Sequence, residues 1–152
     1  MTHLRLDAPP ETIDAEPIDP EPIVRRIMTP SVLAITADAD LLIASRVMAA
    51  RQVRHLPVMD GQRCRGLLLE IDVLQALAVA DNPLVRPPLL AGELCRATPE
   101  VRPEDRRSAA ARAMRDAGID AVLVRADGAV LGILTATDLV RSLAEEAGAT
   151  PD

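Results

Sequence analysis

The chain repeats itself, and little else about it limits the fold as strongly. Displaced by 66 positions, the sequence meets itself without a gap from Ile35 to Ala78. Ala44 falls on Ala110, Arg46 on Arg112, Met48 on Met114, Val58 on Val124, Gly66 on Gly132, Leu68 on Leu134 and Asp72 on Asp138. Within 152 residues this leaves room for two copies of one supersecondary unit, each with a very small core of its own. The pair is therefore the expected folding unit.

Each copy reads as βαββα. An extended piece comes first, Val32–Thr36 or Glu100–Arg102. A helix follows, Asp40–Gln52 or Glu104–Ala117, with Ala109, Ala113 and Met114 at helical spacing on one face of the second. Gly118 is placed to cap that helix, and Gln52 holds the same place in the first copy. Two strands come next: His55–Met59 and Arg65–Leu69 around Asp60-Gly61, then Ala121–Val124 and Val130–Leu134 around Asp127-Gly128. Asp-Gly between apolar runs is a hairpin signal. A last helix closes each copy, Asp72–Val79 or Thr137–Glu146, with Asp72 and Asp138 placed to cap free amides. The layout is an acidic, proline-rich arm at 1–22, a first repeat at 23–80, a proline-rich linker at 81–88, a second repeat at 89–146 and a tail at 147–152.

Composition removes whole classes of function. Phe, Tyr and Trp are absent, so no base-stacking platform exists. Lysine is absent too, which excludes a Schiff base or a P-loop lysine. The net charge is −6, and the arm holds six of the 23 acids against Arg5 alone, so the body is near neutral with no basic stripe for nucleic acid. Two histidines, His3 and His55, and two unclustered cysteines, Cys64 and Cys95, do not make a zinc site. Both cysteines read as core or half-buried apolar residues, with a disulfide between them unsupported. No apolar run approaches a membrane span and no signal-peptide core is present, so a cytoplasmic protein without membrane insertion is the default expectation.

Three segments of the first copy carry a family resemblance: Ile27-Met28-Thr29-Pro30, Val53-Arg54-His55-Leu56-Pro57-Val58, and Gly66 through Leu74. In the second copy they are Thr98-Pro99 and Gly132 through Val140. In their order, spacing and duplication the chain resembles the cystathionine β-synthase (CBS) domain family, as a stand-alone tandem pair. The resemblance implies an α+β fold, two βαββα repeats packed through their sheets with pseudo-two-fold symmetry. It further implies a regulatory module that binds AMP, ADP, ATP or an adenosyl cofactor such as S-adenosylmethionine, forms homodimers and acts on a separate protein, with no cofactor required.

The family builds its clefts crosswise, and this assigns residues. Cleft A takes Ile133, Thr135 and Asp138 from the second copy and Val32, Leu33, Val53, Arg54, His55 and Pro57 from the first. By the resemblance Asp138 accepts from both ribose hydroxyls, Thr135 donates to a phosphate, and Arg54 and His55 add charged or polar contacts to it. Val32, Leu33, Val53 and Ile133 enclose the adenine. Cleft B takes Leu69 and Asp72 from the first copy and Ala97, Thr98, Ile119, Asp120 and Ala121 from the second. There Leu69 replaces the hydroxyl and Asp120 opposes a phosphate, so cleft B is expected to be empty or to hold an uncharged or different ligand.

Two readings follow, an adenine-nucleotide sensor with one competent cleft, or an interaction protein with vestigial clefts and the acidic arm as its contact. An enzyme is not expected, since no nucleophile–base set, metal cluster or phosphate-cradling loop is present.

Overall fold

The computed structural model describes residues 21–30, 32–82, 84, 88 and 90–148. The first repeat comprises α1 (Val24–Ile27), β1 (Thr29–Pro30), β2 (Ile35–Thr36), α2 (Leu41–Arg51), β3 (His55–Asp60), β4 (Arg63–Leu69) and α3 (Glu70–Ala80). The second comprises α4 (Ala91–Leu94), β5 (Glu100–Val101), α5 (Arg107–Ala117), β6 (Ala121–Ala126), β7 (Ala129–Thr135) and α6 (Ala136–Gly148). One sheet has the order β2-β3-β4, the other β1-β7-β6-β5. In each, the short first strand runs parallel to one arm of an antiparallel hairpin.

Both faces of each hairpin are buried, which explains apolar runs such as Leu67-Leu68-Leu69 in place of alternation. Leu56, Val58 and Leu68 pack with Leu41, Ala44, Met48 and Val73 of the flanking helices. Val122, Val124 and Leu134 do the same against Ala110 and Met114. The opposite faces supply Leu67, Ala121, Leu123 and Ile133, which join the two repeats in a third cluster between the sheets. Neighbouring side chains on a strand point to opposite sides, so one strand serves a repeat core and the shared interface at once.

The two repeats also exchange pieces. Val24 of α1 is buried in the second repeat's core, and Ala91 of α4 in the first's. β1 pairs with β7, placing Thr29 opposite Ile133. On the other side Arg96 pairs with Leu67 through N–H···O bonds of 2.8 and 3.0 Å. These short entry helices are absent from the sequence reading; Val24 and Ala91 stand 67 positions apart, outside the gapless 66-residue register.

Boundaries move for local reasons. α5 begins at Arg107, not Glu104, because Arg102 and Asp105 close a turn with Arg102 N donating to Asp105 Oδ2 (2.7 Å) and Asp105 N to Arg102 O (3.1 Å). Of Val32–Thr36 only Ile35 and Thr36 join a sheet. The first hairpin pairs Asp60 with Arg63, so its two-residue turn is Gly61-Gln62, not Asp60-Gly61; the second turns at Asp127-Gly128. Gln52 and Gly118 end α2 and α5 in the left-handed region, at φ 54° and 64°. Glu21 and Pro22, counted with the arm, dock on α5: the Glu21 carboxylate accepts from the Ser108 amide and hydroxyl and caps a helix that has no side-chain cap of its own. Residues 1–20 of the arm, most of 83–89 and residues 149–152 lie outside the described residues. Among the described residues no helix is long and apolar enough to cross a membrane.

Both cysteines are free and half-buried. Cys64 Sγ lies 3.7 Å from Gly66 O and Cys95 Sγ 3.6 Å from Gly92 O. Burial pushes the Cys95 thiol up from its ordinary range, against an opposing pull from the Arg65 guanidinium.

Candidate functional site

Where β1 crosses onto β7, the start of β3 comes to face the start of α6, and a cavity of about 560 Å³ opens between the repeats. Val32, Leu33, Val53, Arg54, His55, Ile133, Thr135 and Asp138 all line it. This is the cleft A expected from the sequence, in a size range common for small-molecule sites. Pro57 is not part of it. Two residues further along β3, it is buried against a different hollow beside Val32, Met59 and Cys64.

Asp138 stands in the first turn of α6 and is only 7% exposed. Its Oδ2 accepts from the Thr135 amide (2.9 Å) and hydroxyl (3.0 Å), while the Asp138 amide donates back to Thr135 Oγ1 (3.4 Å). This reciprocal pattern is a capping box, and it holds the carboxylate at the cavity wall. It also gives both side chains partners that the sequence did not name. The Thr135 hydroxyl donates to Asp138 Oδ2. Asp138 Oδ1 is also engaged, by Arg141 Nη1 at 3.1 Å, one turn further along α6. Arg51, Gln52, Thr137 and Arg141 line the cavity as well and are missing from the sequence assignment. The i, i+3 spacing of Asp138 and Arg141 on one helix was the signal available for Arg141.

His55 lines cleft A and has a partner in the other repeat. Its Nε2 lies 2.8 Å from Asp120 Oδ1, across the boundary between the repeats. Arg54 and His55 border both cleft A and the opposite cavity of about 450 Å³, which is cleft B. Cleft B is lined by Leu69, Glu70, Ile119 and Asp120, as well as by Arg96. Asp120 was expected to face a phosphate with no basic residue in its own segment; the structure gives it the His55 ring of the other repeat as a hydrogen-bond partner. Arg96 grips the buried Asp72 through Nε–Oδ2 and Nη2–Oδ1 contacts, both 2.6 Å. The Asp72 carboxylate is therefore engaged by an arginine fork and makes no cap, and it holds the Arg96 guanidinium still further above its usual range. Thr98 is spent on the backbone, accepting from Leu67 N (3.1 Å) and donating to Arg96 O (3.0 Å).

Comparison with known proteins agrees with this architecture. A model of the CBS domain family matches residues 24–79 and again 91–145. The chain belongs to the CBS domain family. The CBS pair is 30% identical over 138 residues to an uncharacterized 33.4 kDa protein in a ribosomal RNA operon of Thermofilum pendens, covering 79% of this chain and 43% of that relative. The chain thus spans less than half the length of that relative. Among solved structures, the CBS domain pair of protein MJ0100, in complex with 5′-methylthioadenosine and S-adenosyl-L-methionine, matches with a TM-score of 0.73 at 19% identity, over 83% of this chain and 98% of that one. CBSX2, in complex with AMP, matches with a TM-score of 0.69 at 24% identity, over 81% and 96%. At these identities the likeness establishes the fold.

Proposed function

We propose that this CBS pair is a regulatory adenine-nucleotide sensor. It takes AMP, ADP or ATP in cleft A, one ligand per chain, and acts on a separate partner protein in the cytoplasm. One observation carries the reading: a single cavity gathers apolar walls (Val32, Leu33, Val53 and Ile133), a fixed buried carboxylate (Asp138) and a cation (Arg54). These are the three chemistries that a base, a ribose and a phosphate need. The neighbours solved with AMP or adenosyl compounds support it. The role is binding, without catalysis.

Calorimetric titration with AMP, ADP, ATP and S-adenosylmethionine tests it. Saturable binding near one ligand per chain is expected. Asp138→Ala should weaken it at least about tenfold, since hydrogen bonds to a charged group are lost. Absence of binding at millimolar concentration would leave the interaction-protein reading, which draws on the engagement of both cleft carboxylates by arginines.

The sensor is also proposed to be a homodimer. Leu74 on α3 and Val140 on α6 occupy equivalent repeat positions, and both are exposed, as are Ile71 and Leu143 beside them. A second copy covering these faces would bury an area on the order of 1,200–2,000 Å². Sedimentation should give the dimer mass, and Leu74→Glu with Leu143→Glu the monomer mass.

A further inference from the structure

Cleft A carries a charge surplus that the fold does not require. Among the described residues, Arg51, Arg54 and Arg141 line it against one carboxylate, Asp138. Among the described residues nothing is hydrogen-bonded or ion-paired to the side chains of Arg51 and Arg54, and Arg141 is paired with Asp138 alone. The repeat provides an internal control. The positions equivalent to Arg51, Arg54 and Arg141 are Ala117, Asp120 and Gln75, so the same scaffold folds without a cation at any of them. In cleft B, Arg54 shares the lining with two carboxylates, Glu70 and Asp120, and Arg96 is held by Asp72. The surplus therefore belongs to cleft A alone, in a chain whose net charge is −6.

The three guanidiniums sit on different elements: the end of α2, the start of β3 and the second turn of α6. A single phosphate carries about two negative charges and offers room for one or two such forks. A row of phosphates engages all three. The α6 N-terminus, at Thr135 and Thr137 on the same wall, adds positive potential of its own. Arg141 is 62% exposed and free to swing outward, and its release opens Oδ1 to a ribose hydroxyl, which takes its place as partner of the buried carboxylate.

Building on the adenosyl reading above, we infer that cleft A selects by charge, taking a nucleoside di- or triphosphate in preference to neutral or cationic adenosyl compounds. Arg51 and Arg54 receive the phosphates. Arg141 changes partners, from Asp138 in the free protein to a phosphate in the bound one.

The test is titration of the full chain with ATP, AMP, 5′-methylthioadenosine and S-adenosylmethionine in magnesium-free buffer at two salt concentrations. ATP should bind most tightly, and its affinity should fall more steeply with salt than that of AMP, while methylthioadenosine stays level. Arg51→Ala should lower the ratio of ATP to methylthioadenosine affinity by about tenfold or more. Arg141→Ala should weaken ATP similarly and tighten methylthioadenosine by up to about fivefold, because Asp138 Oδ1 no longer has to give up the exposed Arg141 before it takes a ribose hydroxyl. A loss of folding would weaken both ligands together, so the opposed shifts identify an exchange of partners. Equal affinity for all four compounds, with ratios unmoved by either variant, overturns the selectivity and leaves the adenosyl reading standing. Failure of all four to bind overturns both.

Discussion

Replacing Gly66 with alanine should leave the chain unable to fold, with the cooperative denaturation transition lost and the helical circular dichroism collapsed. Gly66 has φ +147°, a backbone region closed to residues with a Cβ. The added atom would also lie 2.0 Å from Arg96 O, a backbone oxygen fixed where Arg96 pairs with Leu67. Neither atom can swing aside as a side chain would. Opening the strand crossing sacrifices two backbone hydrogen bonds and pulls Arg96 off Asp72, leaving a buried carboxylate without its partner. The combined cost is about 5 kcal/mol or more, which matches the whole stability of many domains. Gly61→Ala is the control. Its φ is +59° and no atom lies within 4 Å of the new Cβ, so the loss should be about 1–2 kcal/mol and the protein should stay folded. Equal denaturation midpoints for the two variants would show that the close approach to Arg96 is unimportant.

The same glycine shows what the sequence made legible. Gly66 and Gly132 are equivalent in the repeat, and both turn out to mark a crossing, since a Cβ on Gly132 would lie 2.6 Å from Thr29 O. The repeat betrayed the equivalence but not its cause, which is an approach between residues remote in sequence. The hairpins and long helices were readable because their signals are local: turn residues at fixed offsets, apolar runs, and left-handed caps at Gln52 and Gly118. The helices α1 and α4 were not, because four residues carry no helical period and find their apolar partners in the other repeat.

The candidate site divides in the same way. Residues that the family pattern places by position, such as Val53, Arg54, Thr135 and Asp138, converge on one cavity. What each side chain does there depends on partners no motif names. Arg141 and Arg96 reach the two equivalent carboxylates by unrelated routes, one from the next turn of the same helix and one from the opposite repeat. His55 sits in the expected cleft and is engaged by Asp120, whose equivalent in the first repeat is Arg54. Internal symmetry thus fixes where the candidate positions lie, and its local breaches set their charge.

Val24→Asp should unfold the second repeat from a position in the first. Val24 is 0% exposed and packs among Val101, Ala110, Met114, Val122 and Leu134, while α1 is tied there by Val24 N–Asp105 O (2.8 Å) and Arg25 N–Pro103 O (2.9 Å). None of the core side chains around it can accept or neutralise a charge, so a carboxylate there must be desolvated without compensation or expel the helix. Either course costs several kcal/mol. Because β1 follows α1 directly and carries Thr29 to the wall of cleft A, ligand binding should disappear together with the fold. Val24→Ala, which deletes volume without adding charge, should cost only about 1–3 kcal/mol and retain binding. Hydrogen exchange followed residue by residue supplies the decisive reading. If α5, β6 and β7 lose protection in Val24→Asp, the exchanged helices make the two repeats one cooperative unit, and a nucleotide bound between them stabilises both. If those elements stay protected while only residues 21–30 open, each repeat holds its own core, and cleft A joins two independently stable halves.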